Sequence, residues 1–224
     1  MFDEITHILV ERYENNIKAI LAYGSRVTNE CAVDKYSDYD LTIVFKEYPK
    51  FPFPNFPPGA DITMVFECEL SDDSLSAFNL DGHGSFYLHT LANANCIYGK
   101  NPFVRYLRNT PIAEINKSLA EQINSHAWKL QKIALSETGY FRRRQIRKYS
   151  FRLAQNYYFL MGSMDYGIFH NEPYDNWIKI FLRQSKYPRD FIDYLELLLC
   201  SEEPLLEEVL NYCGRLKSTT INYL

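Results

Sequence analysis

The most constraining feature of the chain is a polar stretch that joins two short apolar segments near the N-terminus. Segments 17–21 and 41–45 are rich in β-branched and aromatic residues, which favour buried strands. Gly24-Ser25 follows the first segment, and Asp38-Tyr39-Asp40 precedes the second. The sequence therefore predicts two core strands, with polar groups gathered where one strand ends and the other begins.

Each of these polar groups suits a phosphate or a metal ion. A glycine after a strand lets the backbone turn and approach a ligand closely, and free amides at a helix start attract phosphate. Ser25 adds a hydroxyl. Asp38 and Asp40 are separated by one residue, so both carboxylates can lie on one side of a strand and bind hard cations. Two bound magnesium ions would hold the phosphates of a nucleotide and activate an incoming hydroxyl.

The order of these residues resembles the signature of the nucleotidyltransferase superfamily, which includes DNA polymerase β and the aminoglycoside nucleotidyltransferases. That signature is a Gly-Ser turn after a strand, a spacer, and Asp-x-Asp entering the next strand. A closer resemblance is to the streptomycin 6-adenylyltransferases. Their pattern is matched in order by Gly24-Ser25-Arg26, Asn29, Asp34 and Asp38-Tyr39-Asp40.

The resemblance implies an α+β fold. We expect a small mixed β-sheet with flanking helices, the polymerase β-like nucleotidyltransferase fold, followed by a C-terminal helical bundle. Helical periodicity in the C-terminal half supports the bundle, because Leu119, Ile123 and Ala127 fall on one helix face. We therefore predict a nucleotidyltransferase catalytic domain over residues 1–108 and a helical substrate-binding domain over residues 109–224.

Several elements are predicted around the two strands. An apolar stripe indicates a helix over residues 3–15. The segment 46–59, dense in proline and phenylalanine, is expected to be extended, either as a lip over the site or as a surface connector. A third strand is predicted to begin at Asp61, and a turn at 81–84 to open a helix that ends near residues 97–100.

Asp61 is the third acidic candidate. In the superfamily, an acid on the neighbouring strand joins the Asp-x-Asp pair, either as a metal ligand or as the base that takes the proton from the attacking hydroxyl. The alternative is that Asp61 only caps its strand. The resemblance thus implies that Asp38, Asp40 and Asp61 are the catalytic and metal-binding residues.

Gly24, Ser25, Arg26 and Lys148 are the candidate contacts for the nucleotide. Arg26 follows the Gly-Ser turn and is predicted to reach the triphosphate. Lys148 belongs to the one basic cluster of the sequence, in which residues 144, 148 and 152 share a helix face. The alternative interpretation of that row of cations is a solvated helix surface.

Composition narrows the classes of partner and compartment. The 24 basic and 28 acidic residues give a net charge of −4, which argues against a nucleic-acid partner. No apolar run approaches the roughly 20 residues that a membrane span needs. The five scattered cysteines, without a C-x-x-C pair, indicate reduced, buried thiols in a cytoplasmic protein. A homodimer is one of the oligomeric states left open.

The resemblance implies an Mg²⁺-dependent adenylyltransferase that transfers AMP from ATP, or NMP from another NTP, to a hydroxyl of a small molecule. An aminoglycoside-like acceptor fits this hypothesis, with pyrophosphate as the second product. Two alternatives stay open: an antitoxin-type nucleotidyltransferase that modifies a partner protein, and an inactive nucleotide-binding module.

Overall fold

A computed structural model of the chain describes residues 1–28, 37–50, 52–70, 90–92, 94–162, 174–184 and 186–224. The described residues divide into two compact units, one up to Pro111 and the other from Ile112 onward. The first unit contains the sheet, and the second contains helices alone among its described residues. The catalytic and substrate-binding roles predicted for the two halves stay predictions.

The first unit is built on a mixed sheet, which the described residues form from four strands in the order β3-β2-β1-β4. The strands are β1 (Ile17–Tyr23), β2 (Tyr39–Phe45), β3 (Ala60–Phe66) and β4 (Asn95–Gly99). β1 pairs antiparallel with β2 and β4, whereas β2 and β3 run parallel. The three predicted strands are confirmed, but β2 begins before its apolar segment, so Asp40 lies inside the strand.

Helix α1 (Phe2–Tyr13) covers one face of the sheet. Its buried residues Ile5, Leu9 and Tyr13 are four positions apart, so they form one stripe along the helix. They pack against alternate residues of the strands, among them Ile43 and Phe45 of β2. The predicted N-terminal helix is confirmed, and its apolar stripe fixes which face of β2 points to the core.

The proline-rich connection between β2 and β3 has no helix or strand in its described residues, as the sequence predicts. Phe53 and Phe56 pack against the core under α1, and the Tyr13 hydroxyl donates a hydrogen bond of 2.7 Å to the Pro52 carbonyl. These contacts fit the connector interpretation, because the phenylalanine side chains extend the core of the sheet.

The prediction of a helix that ends near residues 97–100 is wrong at that end. Residues Asn95–Gly99 form β4, which pairs with the second edge of β1 through Ile20 and Tyr98. Backbone pairing along an open strand edge outweighs a local helix signal, because each pair satisfies two polar backbone groups.

The turn predicted at 81–84 lies outside the described residues. Two further helices of the unit are α2 (Ser25–Thr28) and α3 (Phe103–Asn109).

The second unit consists of the predicted helical bundle. Its helices are α4 (Ile112–Ser136), α5 (Gly139–Leu160), α6 (Tyr174–Leu182), α7 (Arg189–Cys200) and α8 (Leu206–Thr220), followed by a short 3₁₀ turn. The stripe predicted on α4 is buried. Periodicity alone therefore placed the helices of this unit correctly.

Aromatic side chains dominate the core of the second unit. Tyr158, Phe181 and Phe191 are fully or almost fully buried, and Phe181 meets both other rings edge to face. The Tyr212 ring stacks on Phe191, and its hydroxyl donates a hydrogen bond of 2.8 Å to the Ser150 carbonyl. Burial raises the pKa of Tyr212 well above its usual value, so this phenol stays protonated as a hydrogen-bond donor.

The cysteines depart in part from the sequence prediction. Cys213 is buried, and burial raises the pKa of its thiol to about 12. Cys68 and Cys200 are exposed, so the prediction of buried thiols is wrong for both. In the described parts of the chain, no helix combines the length and the apolar character that a membrane span needs.

Two leucines of α4 test how much the helical core contributes to stability. Leu130 is fully buried, whereas the side chain of Leu135 is 69% exposed. We expect Leu130→Ala to lower the free energy of unfolding by about 2–5 kcal/mol, because it leaves a cavity in the core. Leu135→Ala should change it by less than about 0.5 kcal/mol. Urea denaturation followed by circular dichroism measures both, and equal losses would contradict this packing.

Candidate functional site

The Gly-Ser turn follows β1 directly. Gly24 has a φ of +80°, a left-handed conformation that favours glycine. The Val27 amide donates a hydrogen bond of 3.1 Å to the Gly24 carbonyl, and α2 begins at Ser25. The predicted turn and helix start are therefore both present. Binding of phosphate by Gly24 and Ser25 stays a prediction.

The strand register brings two of the three predicted acids together. Asp40 of β2 pairs in register with Asp61 of β3, and the two strands are parallel. Residues paired in this way point to the same face of a sheet, on strands about 4.8 Å apart. Leu41, which neighbours Asp40, points into the core under α1. Both carboxylates consequently extend from the opposite face, because side chains alternate along a strand.

Asp38 lies just before β2 and is exposed to solvent, as is Asp61, whereas Asp40 is half-buried. The three acids therefore differ in their surroundings. Asp40 has the most protein around it, and Asp38 and Asp61 are open to a ligand from solution. This gradient of exposure suits a site that receives a hydrated ion or a charged substrate at its outer side.

Gly24 lies directly against the carboxylate of Asp40. A Cβ atom added at Gly24 would overlap that carboxylate and lie 2.8 Å from its Cγ. The neighbouring Tyr23 pairs in register with Asp40 across β1 and β2. The two halves of the predicted motif, which a spacer separates in sequence, thus meet at a single point. Glycine is required there for its conformation and for its missing side chain.

The carboxylates of Asp38, Asp40 and Asp61 are oxygen ligands of the kind that magnesium prefers, although they do not form a complete ligand group. Asp40 and Asp61 offer carboxylate oxygens on one face, and Asp38 offers a third carboxylate just before β2. No three His, Cys, Asp or Glu side chains converge as a metal-binding cluster within the described ranges. The metal-binding roles of Asp38, Asp40 and Asp61 therefore stay predictions.

Arg26 contacts the segment that carries the acids. Its Nε donates a hydrogen bond of 2.8 Å to the Ser37 carbonyl, and its guanidinium carbon lies 4.2 Å from the centre of the Tyr39 ring. The sequence predicts a nucleotide contact for Arg26 and does not indicate these partners. The only signal in the sequence was an arginine and a tyrosine within one motif, which does not specify their distance.

The remaining candidates are less defined by the fold. Lys148 lies half-buried on α5 in the second unit, and α5 confirms that residues 144, 148 and 152 share a helix face. Asn29 and Asp34 lie outside the described residues. Sequence reasoning missed Tyr23 and Thr42, whose hydroxyls lie 3.4 Å apart beside the acids, because tyrosine and threonine are common in any strand.

Two glycines with the same backbone conformation test the contact between the turn and Asp40. Gly59 has a φ of +85° and nothing within 4 Å of an added Cβ. Gly59→Ala should therefore cost only the conformational strain, about 1–2 kcal/mol. Gly24→Ala should cost about 1–3 kcal/mol more, because the new methyl group displaces the Asp40 carboxylate. Chemical denaturation measures both losses. Equal values would show that no overlap exists at Gly24.

Comparison with known proteins bears on the fold and on the first 53 residues of the chain. A family model described as streptomycin adenylyltransferase matches residues 1–53. A spectinomycin adenyltransferase from Enterococcus faecialis, solved with ATP and spectinomycin, is 14% identical, with 96% of this chain and 98% of that chain covered and a TM-score of 0.55. A nucleotidyltransferase-like protein from Exiguobacterium sibiricum is 16% identical, with 100% and 77% covered and a TM-score of 0.41. No curated protein sequence matches the chain significantly.

The likeness to the spectinomycin adenyltransferase extends over nearly the whole of both chains, so it confirms the predicted α+β nucleotidyltransferase fold. The family model covers α1, β1, the Gly-Ser turn and the Asp-Tyr-Asp segment. The resemblance inferred from those residues is thereby confirmed. The chain has a nucleotidyltransferase fold, and its first 53 residues are similar to the streptomycin adenylyltransferases.

Proposed function

We propose that this chain is a nucleotidyltransferase that transfers AMP from ATP to a hydroxyl of a small molecule and releases pyrophosphate. The observation that carries this proposal is the position of Asp40, which lies against the Gly24 turn on one side and in register with Asp61 on the other. The match of residues 1–53 to the streptomycin adenylyltransferase model supports the choice of AMP.

The proposed acceptor is a polyhydroxylated, aminoglycoside-like small molecule. Support comes from the family model described as streptomycin adenylyltransferase and from the similar structure of a spectinomycin adenyltransferase, which was solved with ATP and spectinomycin. The negative net charge of −4 also favours a cationic acceptor over a nucleic acid. A cytoplasmic location and a homodimer remain predictions.

In the proposed reaction the acceptor hydroxyl attacks the α-phosphorus of ATP in line with the leaving pyrophosphate. Catalysis of this kind depends on position and on neutralised charge more than on covalent chemistry. Asp61 is exposed and is the proposed base, which takes the hydroxyl proton on a carboxylate oxygen. Gly24 and Ser25 are proposed to bind the outer phosphates. Magnesium, when bound by Asp38 and Asp40, would supply positive charge beside the phosphates.

The proposal is tested by label transfer. The chain is incubated with Mg²⁺ and ATP labelled at the α-phosphate, together with spectinomycin or streptomycin as the probe acceptor. We expect label in the acceptor and an equal amount of pyrophosphate. Label that enters neither acceptor nor any other amino sugar, with ATP left intact, would contradict the proposal. Label in a co-purified protein instead would favour a protein-modifying nucleotidyltransferase.

Asp40→Asn tests the acid on which the proposal rests. This change keeps the size of the side chain but removes the charge beside Gly24, so pyrophosphate release should fall by about 100-fold or more. Asp3→Asn is the matched control, because Asp3 is an exposed acid in the first turn of α1, in the same unit. Its rate should equal that of the unmodified chain. Unchanged turnover in Asp40→Asn would exclude a catalytic role for this carboxylate.

Lys148→Ala tests the nucleotide contact proposed on α5. An ammonium that binds a phosphate through a charge-assisted hydrogen bond contributes about 1.5–3 kcal/mol, so the Kd for ATP should rise roughly 10-fold to 100-fold. Lys129→Ala on α4 removes an exposed lysine of the same unit and serves as the control. Isothermal calorimetry measures both affinities. Equal Kd values for the two variants would leave Lys148 as part of a solvated helix face.

A further inference from the structure

Arg26 makes contacts that no role in phosphate binding requires. Its Nε donates to the Ser37 carbonyl at 2.8 Å, and Nη1 donates to the Tyr39 hydroxyl at 3.3 Å. The guanidinium carbon lies 4.2 Å from the centre of the Tyr39 ring. Arg26 thus joins the Gly-Ser turn to the start of β2 by three contacts, although eleven positions separate it from Ser37.

Tyr39 is held on its other sides as well. The Phe2 ring of α1 meets the Tyr39 ring edge to face at 5.1 Å, and the Tyr39 amide donates a hydrogen bond of 2.7 Å to the Gly59 carbonyl. The ring is therefore enclosed between an arginine and a phenylalanine, while its backbone is fixed to the neighbouring chain segment. Both kinds of aromatic contact depend on ring geometry.

The position of Tyr39 determines the position of the acids beside it. Tyr39 lies between Asp38 and Asp40, and side chains alternate between the faces of a strand. A ring fixed on the α1 side consequently directs the Asp40 carboxylate to the opposite side, towards Gly24. Any rotation of the strand start would turn both groups together. The contacts that Arg26 makes with the Tyr39 ring on the α1 face therefore control the positions of the Asp38 and Asp40 carboxylates.

We propose that Arg26 is a positioning residue, which acts through Ser37 and Tyr39 to hold Asp38 and Asp40 beside the Gly24 turn. Arginine suits this role better than lysine, because its planar guanidinium stacks on an aromatic ring while Nε donates in a fixed direction. The inference rests on the proposed function, since it gives the acids a reaction to serve. It differs from the sequence prediction, in which Arg26 reaches the triphosphate.

The first test does not require any activity. Amide hydrogen exchange is measured for peptides that cover residues 37–45 in Arg26→Lys and in the unmodified chain. We expect exchange at the start of β2 to become about 10-fold faster or more in the variant, because local opening is easier without the stacked guanidinium. Unchanged exchange in that segment would overturn the proposal.

Arg12→Lys provides a matched control for this measurement. Arg12 also lies over a tyrosine ring of the first unit, with its guanidinium carbon 5.8 Å from the centre of Tyr13. Within the described residues, Arg12 makes no hydrogen bond and no ring contact with Ser37 or Tyr39. Its substitution should leave exchange in residues 37–45 unchanged. Faster exchange in both variants would point to general loosening of the unit and would overturn the proposal.

The second test separates positioning from phosphate binding. ATP turnover with spectinomycin as the probe acceptor is measured for Arg26→Lys, Tyr39→Leu and the double variant. A positioning role predicts that kcat falls about 10-fold, that KM for ATP changes little, and that the double variant is no slower than either single one. Tyr39→Phe, which keeps the ring, should retain most of the rate. Additive losses with a raised KM for ATP would assign Arg26 to the triphosphate instead.

Failure of this inference and failure of the proposed function give different results. A chain that transfers no label to any acceptor, yet shows faster exchange in Arg26→Lys alone, would refute the proposed reaction and support the positioning role. A chain that transfers label with unchanged exchange in Arg26→Lys would support the reaction and refute the positioning role.

Discussion

The backbone pairing of β2 with its two neighbours is the constraint on which the candidate site depends. Asp40 pairs with Tyr23 on one side and with Asp61 on the other. A slip of one residue would exchange the two faces of β2 and turn Asp40 into the apolar core under α1. Burial of Leu41 and Phe45 against α1 prevents that slip. Exposure of either side chain to water would cost about 1.5 kcal/mol or more.

The site thus depends on apolar packing on the side of the sheet that carries no acid. Helix α1 holds the core-facing residues of β2, and Phe2 at its start also contacts Tyr39. The same register leaves Gly24 no space for a side chain next to Asp40. Fold stability and site geometry are therefore coupled within the first unit. A substitution in the core is expected to shift the positions of the carboxylates.

The comparisons divide the candidate residues into two groups. The match to the streptomycin adenylyltransferase model ends at residue 53, so it includes the turn and the Asp-Tyr-Asp segment but neither Asp61 nor Lys148. Asp61 is nevertheless supported by its register with Asp40, which is independent of any sequence match. Lys148 has only its charged helix face and the resemblance in its favour. The two proposed roles therefore differ in the kind of observation that supports them.

The sequence by itself determined α1 and the helices of the second unit through their period, the first three strands through their apolar runs, and the motif residues between β1 and β2 through their order. It failed at β4, where local pattern favoured a helix but the open edge of β1 required a strand. Only the tertiary structure decided that Gly24 touches Asp40, that Asp61 pairs with it, and that Arg26 contacts Tyr39. The physical reason is that periodicity is a property of neighbouring residues, whereas these contacts join distant segments through strand order and register.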